Sequence, residues 1–184
     1  MMKRPLFSAF TCAAALFATA VQAEGIFMLQ SPAIADNAMM EKKYAGNAND
    51  NPNCTGENQS PPLVWSNEPQ GTKSYALIVF DPEGAKGLGV THLVAYNIPP
   101  TATGFAANDL RDAKGFTGGK TTPGTHAWYG PCPPTGSGAH HYNFTLIATD
   151  LEPNLPAGLT REELLQKLKG HALAATGLVG RFGQ

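Results

Sequence analysis

The clearest periodicities along the chain are those of β-strands. Ser74 to Phe80 is almost uninterrupted in apolar residues, as expected of a strand covered on both faces, and Asp81-Pro82 ends it. His92 to Ile98 alternates, which predicts His92, Val94, Tyr96 and Ile98 on one face and Leu93, Ala95 and Asn97 on the other, before Pro99-Pro100. His140 to Thr149 alternates too: His140, Tyr142, Phe144, Leu146 and Ala148 share one face, and His141, Asn143, Thr145, Ile147 and Thr149 share the other. Leu178 to Phe182 reads as a final short strand. One helix stands out. Thr160-Arg161-Glu162-Glu163 has the Thr-x-x-Glu capping pattern, and Leu164, Leu165, Leu168 and Ala172 follow as a core-facing stripe, with Gly177 closing the region.

Glycine and proline, 20 and 15 of the 184 residues, are scattered between these runs rather than gathered in one block, which is the punctuation of a mainly β fold. No internal repeat or long linker appears, so residues 24–184 are expected to form one domain. A hydrophobic share of 42% with 15% charged residues supplies a real core and excludes a disordered chain. Thirteen basic residues stand against 14 acidic ones, a net charge of -1, which provides no broad cationic surface for a nucleic-acid backbone.

The N-terminus changes the picture. Lys3-Arg4 precede an apolar, Ala-rich stretch from Leu6 to Ala20, then Val21-Gln22-Ala23, the pattern of a cleaved secretory signal over residues 1–23. A membrane helix is the competing reading, but a span needs about 20 apolar residues and this stretch is shorter. Cleavage after Ala23 removes two bases and no acid, leaving a net charge of -3. It also removes Cys12, which lacks the setting of a lipid attachment point. The expected location is the periplasm or the secreted fraction, without stable membrane insertion after cleavage.

Cys54 and Cys132 then remain in a compartment where disulfides persist, so they are expected to pair; a metal-bound or nucleophilic thiol is the alternative. The segment Trp128-Tyr129-Gly130-Pro131-Cys132-Pro133-Pro134-Thr135-Gly136-Ser137-Gly138-Ala139-His140-His141-Tyr142 holds the most distinctive chemistry. Its prolines fix φ and its glycines open conformations closed to other residues, so it can hold a defined shape before a strand begins. Backbone N–H groups can converge on an anion there, with the His140 ring and the Tyr142 hydroxyl as further donors. Asp81 and His92 lie at the ends of neighbouring strands, where a carboxylate can fix an imidazole's tautomer and hold its proton. Spacing alone does not bring these residues together.

Four blocks, in order, resemble the phosphatidylethanolamine-binding protein family, and within it the bacterial Raf-kinase-inhibitor-like members. They are Cys54-Thr55-Gly56-Glu57-Asn58-Gln59-Ser60-Pro61-Pro62-Leu63-Val64-Trp65; Gly71-Thr72-Lys73-Ser74 running into Asp81-Pro82; Thr91-His92-Leu93-Val94-Ala95-Tyr96-Asn97-Ile98-Pro99; and Gly130-Pro131-Cys132-Pro133-Pro134 through His140-His141-Tyr142. The resemblance implies an antiparallel, β-sandwich-like fold with a few peripheral helices, one of them C-terminal. It also implies a small cavity for phosphate-like or carboxylate anions, phospholipid head groups included. Matched by motif, the ligand-binding set is Asp81, Pro82, His92, Gly130, Cys132, Pro133, His140 and Tyr142, with His92 and His140 as donors and Asp81 orienting an imidazole. The chain departs from the family at Glu83-Gly84-Ala85, at Val90-Thr91 before the histidine, and at His141, which stands where the family usually has arginine and so removes a permanent charge.

The expected function is therefore an exported small-anion binder that can also engage a protein partner through the same pocket, and a homodimer is compatible with it. No cofactor, metal or nucleic acid is expected. The alternative is a hydrolase in which Asp81 orients a histidine as general base. The chain has no Gly-x-Ser-x-Gly elbow, His-Glu-x-x-His or Gly-x-x-x-x-Gly-Lys loop to favour it. Zinc at Cys132, His126, His140 and His141 matches no standard spacing, and alternation sends the last two to opposite faces.

Overall fold

The computed structural model describes residues 25–184; the expected signal segment, and Cys12 within it, lie outside them. In chain order the strands are β1 (Met28–Gln30), β2 (Ala38–Met39), β3 (Leu63–Ser66), β4 (Ser74–Asp81), β5 (Val90–Ile98), β6 (Gly104–Phe105), β7 (Thr117–Gly118), β8 (His140–Thr149) and β9 (Ala172–Phe182). Three helical pieces accompany them among the described residues: a 3-10 turn at Lys42–Tyr44, the single turn α1 (Gly84–Gly87) and the C-terminal helix α2 (Arg161–Leu168). The strands form a three-stranded sheet, β1-β3-β6, and a six-stranded sheet, β2-β9-β8-β4-β5-β7. All pairings between these strands are antiparallel except β2 with β9. The fold is the mainly β, single-domain architecture expected from the sequence.

The continuous apolar run of β4 has the reason anticipated for it: the large sheet is covered on both faces. Leu77 and Val79 face inward and join Leu63, Trp65 and Phe105 of the small sheet in the core between the sheets. Ala76 and Ile78 face outward and pack with Leu164 and Leu168 of α2. The Thr160 cap is formed reciprocally, with Thr160 Oγ1 accepting from Glu163 N and the Glu163 carboxylate accepting from Thr160 N.

Two expectations are corrected. Ala172 is not on the helix: α2 stops at Leu168, Gly170 turns the chain at φ 83, and Ala172 begins a strand of 11 residues rather than the short one expected from Leu178. The Ala-rich stretch has little intrinsic strand preference, but β8 presents a full edge that β9 pairs along from His140↔Phe182 to Thr149↔Ala172. The second correction concerns β5, whose alternation is broken twice. Register shifts in the β4–β5 ladder fall between Tyr75 and Leu77 and between Val79 and Phe80. At the first, Asn97 adopts φ 55 and Ile98 crosses to the inner face with Leu93 and Ala95, while Val94 and Tyr96 face α2. At the second, Leu93 pairs with Val79 but Thr91 with Phe80, leaving His92 as an extra residue whose ring turns inward.

Candidate functional site

Each wall of the site follows from local chemistry. Pro82 cannot donate to a ladder, so β4 ends at Asp81. The freed Asp81 carboxylate folds over the next turn, Oδ1 accepting from Glu83 N at 2.9 Å and Gly84 N at 3.0 Å. Gly84 is required here, because a Cβ would come within 2.6 Å of Val90 Cγ2 and 3.0 Å of Asp81 Oδ2. The turn continues through Ala85 and Lys86 at φ 50 and 59, left-handed positions that cost an L-residue roughly 1–2 kcal/mol each.

The opposite wall is the proline-rich loop. It is pinned to β5 at one residue, with Tyr129 N donating to His92 O at 3.0 Å and Tyr129 O lying 2.6 Å from His92 Nδ1. Asn58 Oδ1 accepts from Gly130 N at 2.8 Å. Cys132 is disulfide-bonded to Cys54, 78 residues away in sequence. The Tyr129 hydroxyl sits 3.2 Å from Cys54 Sγ and 3.3 Å from Asn51 Nδ2, and Gln184 Nε2 reaches Asn53 O and Pro133 O, each at 2.7 Å.

Between these walls lies a cavity of about 210 Å³, and Asp81, His92, Cys132, Pro133, His140 and Tyr142 all line it. The two other residues of the expected set stand elsewhere. Pro82 is exposed and outside the cavity, and Gly130 is buried behind its wall, where a side chain would collide with Tyr44 O and Ala45. Tyr129, Pro134, Gly84, Ala85 and Val90 line the cavity without having been singled out as ligands, as do Asn51, Thr122 and Pro123. Tyr129 and Pro134 lie inside the distinctive segment, whereas Asn51, Thr122 and Pro123 arrive on distant loops that carry no local signal.

The polar floor is unevenly satisfied. His140 has both ring nitrogens engaged, Nδ1 2.8 Å from Asp81 Oδ2 and Nε2 3.2 Å from Ser137 Oγ. His92 uses Nδ1 on the Tyr129 carbonyl, and its Nε2 has no hydrogen-bond partner among the described residues. Of the two expected imidazole donors, only His92 therefore offers a free ring nitrogen. Burial pushes the His92 imidazole below its usual range, against the upward pull of the Tyr129 carbonyl and Asp81. The Tyr142 hydroxyl is buried with no hydrogen-bond partner, and burial, reinforced by Asp81 and Glu83, pushes the phenol far up so that it keeps its proton. At the rim, His141 Nδ1 lies 2.9 Å from Glu83 Oε1 on the face away from His140. Partial burial works to raise the Glu83 carboxyl, but hydrogen bonds from the His141 backbone and ring prevail and pull it to about 2.

A family model described as phosphatidylethanolamine-binding protein matches residues 30–183. The chain belongs to that family. It is 37% identical over 158 residues to a UPF0098 protein of Methanothermobacter thermautotrophicus, covering 84% of this chain and 97% of that one. It is 36% identical over 159 residues to a Mycobacterium tuberculosis relative that carries a lipoprotein name, LppC, covering 84% and 71% of the two chains. The crystal structure of Escherichia coli YbcL, described as a new member of the mammalian PEBP family, superposes with a TM-score of 0.78 at 28% identity, covering 88% of this chain and 99% of that one. No helix among the described residues is long and apolar enough to cross a membrane.

Proposed function

We propose that this protein is an exported binder of small anionic groups of phosphate or carboxylate type, presented free, on a phospholipid head group or on a side chain of a protein partner. The observation that carries the reading is the Tyr142 hydroxyl, a buried donor that no protein acceptor satisfies at a cavity it lines. Leaving such a donor unpaired costs about 1–3 kcal/mol, and a guest bearing acceptor oxygens recovers it. His92 Nε2 supplies a second contact, as a donor once protonated. The carboxylate of Asp81 would repel an anion, but its two oxygens are committed to two backbone N–H groups and to His140.

Size supports a small guest. About 210 Å³ lies below the roughly 300–1,000 Å³ of pockets that enclose drug-sized ligands, so one anionic head is taken in and the remainder of a larger molecule stays outside. The Cys54–Cys132 disulfide and the lipoprotein name of one relative support export. Titration calorimetry of the purified protein with inorganic phosphate between pH 5 and 8 tests the reading. Saturable binding that His92→Ala weakens at least tenfold is expected; no binding, or indifference to His92→Ala, overturns it.

A further inference from the structure

Ser137, His140 and Asp81 form a continuous series of side-chain hydrogen bonds. Ser137 Oγ stands 3.2 Å from His140 Nε2, and His140 Nδ1 stands 2.8 Å from Asp81 Oδ2. Asp81 is buried, and the two backbone N–H groups on Oδ1 fix its orientation. A carboxylate only accepts, so Asp81 selects the imidazole tautomer with its proton on Nδ1, which turns the Nε2 lone pair toward Ser137. Ser137 itself is exposed at the rim, between Gly136 and Gly138 at φ 79 and 87.

This is the arrangement of nucleophile, base and orienting acid that defines acyl-transfer sites on unrelated folds, recognised by geometry and not by chain order. The Ser137 hydroxyl has a second acceptor in reach, Pro134 O at 2.8 Å, and its rotation decides which of the two takes the proton. The N–H groups of Gly138 and Ala139 donate to no acceptor among the described residues. They follow the serine directly, and the N–H of the residue after the nucleophile is a standard oxyanion donor.

We propose that Ser137 is an acylatable nucleophile and that the protein cleaves esters of small carboxylic acids through an acyl-Ser137 intermediate. Ser137 Oγ bonds to the ester carbonyl carbon while its proton passes to His140 Nε2. The carbon–oxygen bond to the leaving alcohol then breaks, and His140 returns the proton to that alcohol. Water attacks the acyl-serine by the same route in reverse, giving up a proton to His140 and releasing the acid and the Ser137 hydroxyl. The small cavity beside His140 limits the acyl group, while the exposed rim lets the alcohol leave to solvent.

An alkyl fluorophosphonate probe tests this on the full purified protein, because Ser137 Oγ displaces fluoride and the protein gains one stable phosphonyl group. Peptide mapping is expected to place a single adduct on Ser137, absent from Ser137→Ala. Replacing His140 by Gln is expected to slow labelling by about 10²- to 10⁴-fold, the usual worth of a general base, and to remove any burst with p-nitrophenyl acetate. Circular dichroism confirms that the His140→Gln variant is folded, and the adduct's position on the unaltered chain needs no variant at all. No adduct, an adduct elsewhere, or equal rates in folded His140→Gln would overturn the proposal. Labelling makes no use of phosphate binding, so its failure leaves the anion-binding reading standing, and the reverse holds too.

Discussion

The His92 ring stands edge-on to the Tyr142 ring, with 5.0 Å between centroids and 78° between planes. The two arrive from different strands, β5 and β8, with β4 paired between them, and they meet only because a register irregularity turns His92 to the inner face. One partner gives the floor of the cavity a phenol that stays protonated, and the other an imidazole that burial keeps neutral until a negative charge arrives.

Tyr142→Phe separates the cost of that arrangement from its use. Removing an unpaired buried hydroxyl is expected to leave stability unchanged or raise it by about 1 kcal/mol, read from the urea midpoint. The same change removes a donor to an ionised guest, worth roughly 1.5–3 kcal/mol, so phosphate affinity is expected to fall about 10- to 100-fold. A variant that is less stable and binds phosphate as before would sink the assignment.

The pH response of the site follows from His92. Its imidazole titrates lower in the fold than in the unfolded chain, where it titrates near 6.5, so on acidification the unfolded state takes up the proton first. The stability from this group is full above about pH 6.5 and is lost as pH falls from there toward the folded value. Anion binding has the opposite slope, because a guest held by the charged imidazole brings a proton with it. Sulfate keeps its charge over pH 5 to 8, so its titration reports the protein alone. Its affinity is expected to rise by up to about tenfold for each unit of acidification, a slope that His92→Gln removes. A flat sulfate profile in the unaltered protein would exclude His92 as the donor.

How much of this was legible in the sequence depends on where strand periodicity holds. β8 keeps strict register with both neighbours apart from one irregularity at its end, so the alternation from His140 to Thr149 correctly placed His140 and Tyr142 on one face and His141 on the other. β5 does not, and a bulge has no signature in a run that still alternates on paper, so the face of His92 was misread. Ser137 was hidden for a different reason. A serine between two glycines reads as turn chemistry, and its closeness to His140 Nε2 exists only once the loop has folded back. The disulfide was readable because the expected compartment and a count of two argue for it, whereas the cavity-lining loops of Asn51, Thr122 and Pro123 approach from positions far apart in the chain.

The disulfide is expected to serve both stability and the site. In the chain-entropy account, closing a loop across 78 residues restricts the unfolded chain by about 4 kcal/mol. The double variant Cys54→Ala/Cys132→Ala is therefore expected to lose about 2–4 kcal/mol in urea unfolding. Cys132 lines the cavity, and Cys54 touches the hydroxyl of Tyr129, whose carbonyl holds His92. Phosphate affinity should drop as well, even at denaturant concentrations where the variant is fully folded. Unchanged stability on removing both cysteines would show that the bond does not restrain the chain in solution.

Glu83 and His141 form a hydrogen-bonded pair at the rim, and its consequences for stability and binding have opposite signs. The Glu83 carboxylate faces His141 through its ring at 2.9 Å and its backbone N–H at 3.2 Å, which pulls the group to about 2 from an unfolded value near 4.3. A depressed carboxyl contributes stability above its unfolded value and loses it as pH falls toward the folded one. Both side chains are about two-fifths exposed, so solvent screening holds the contribution to about 0.2–1 kcal/mol. Glu83→Gln is expected to cost no more than that at pH 7 and nothing near pH 2, measured by thermal unfolding. The same substitution removes a negative charge close enough to Tyr142 to act on its phenol. Phosphate affinity should therefore rise severalfold at low ionic strength, and the gain should shrink as salt shortens the Debye length. A fall in affinity instead would mean that Glu83 holds the rim in its binding shape, with His141 serving there as its hydrogen-bond partner.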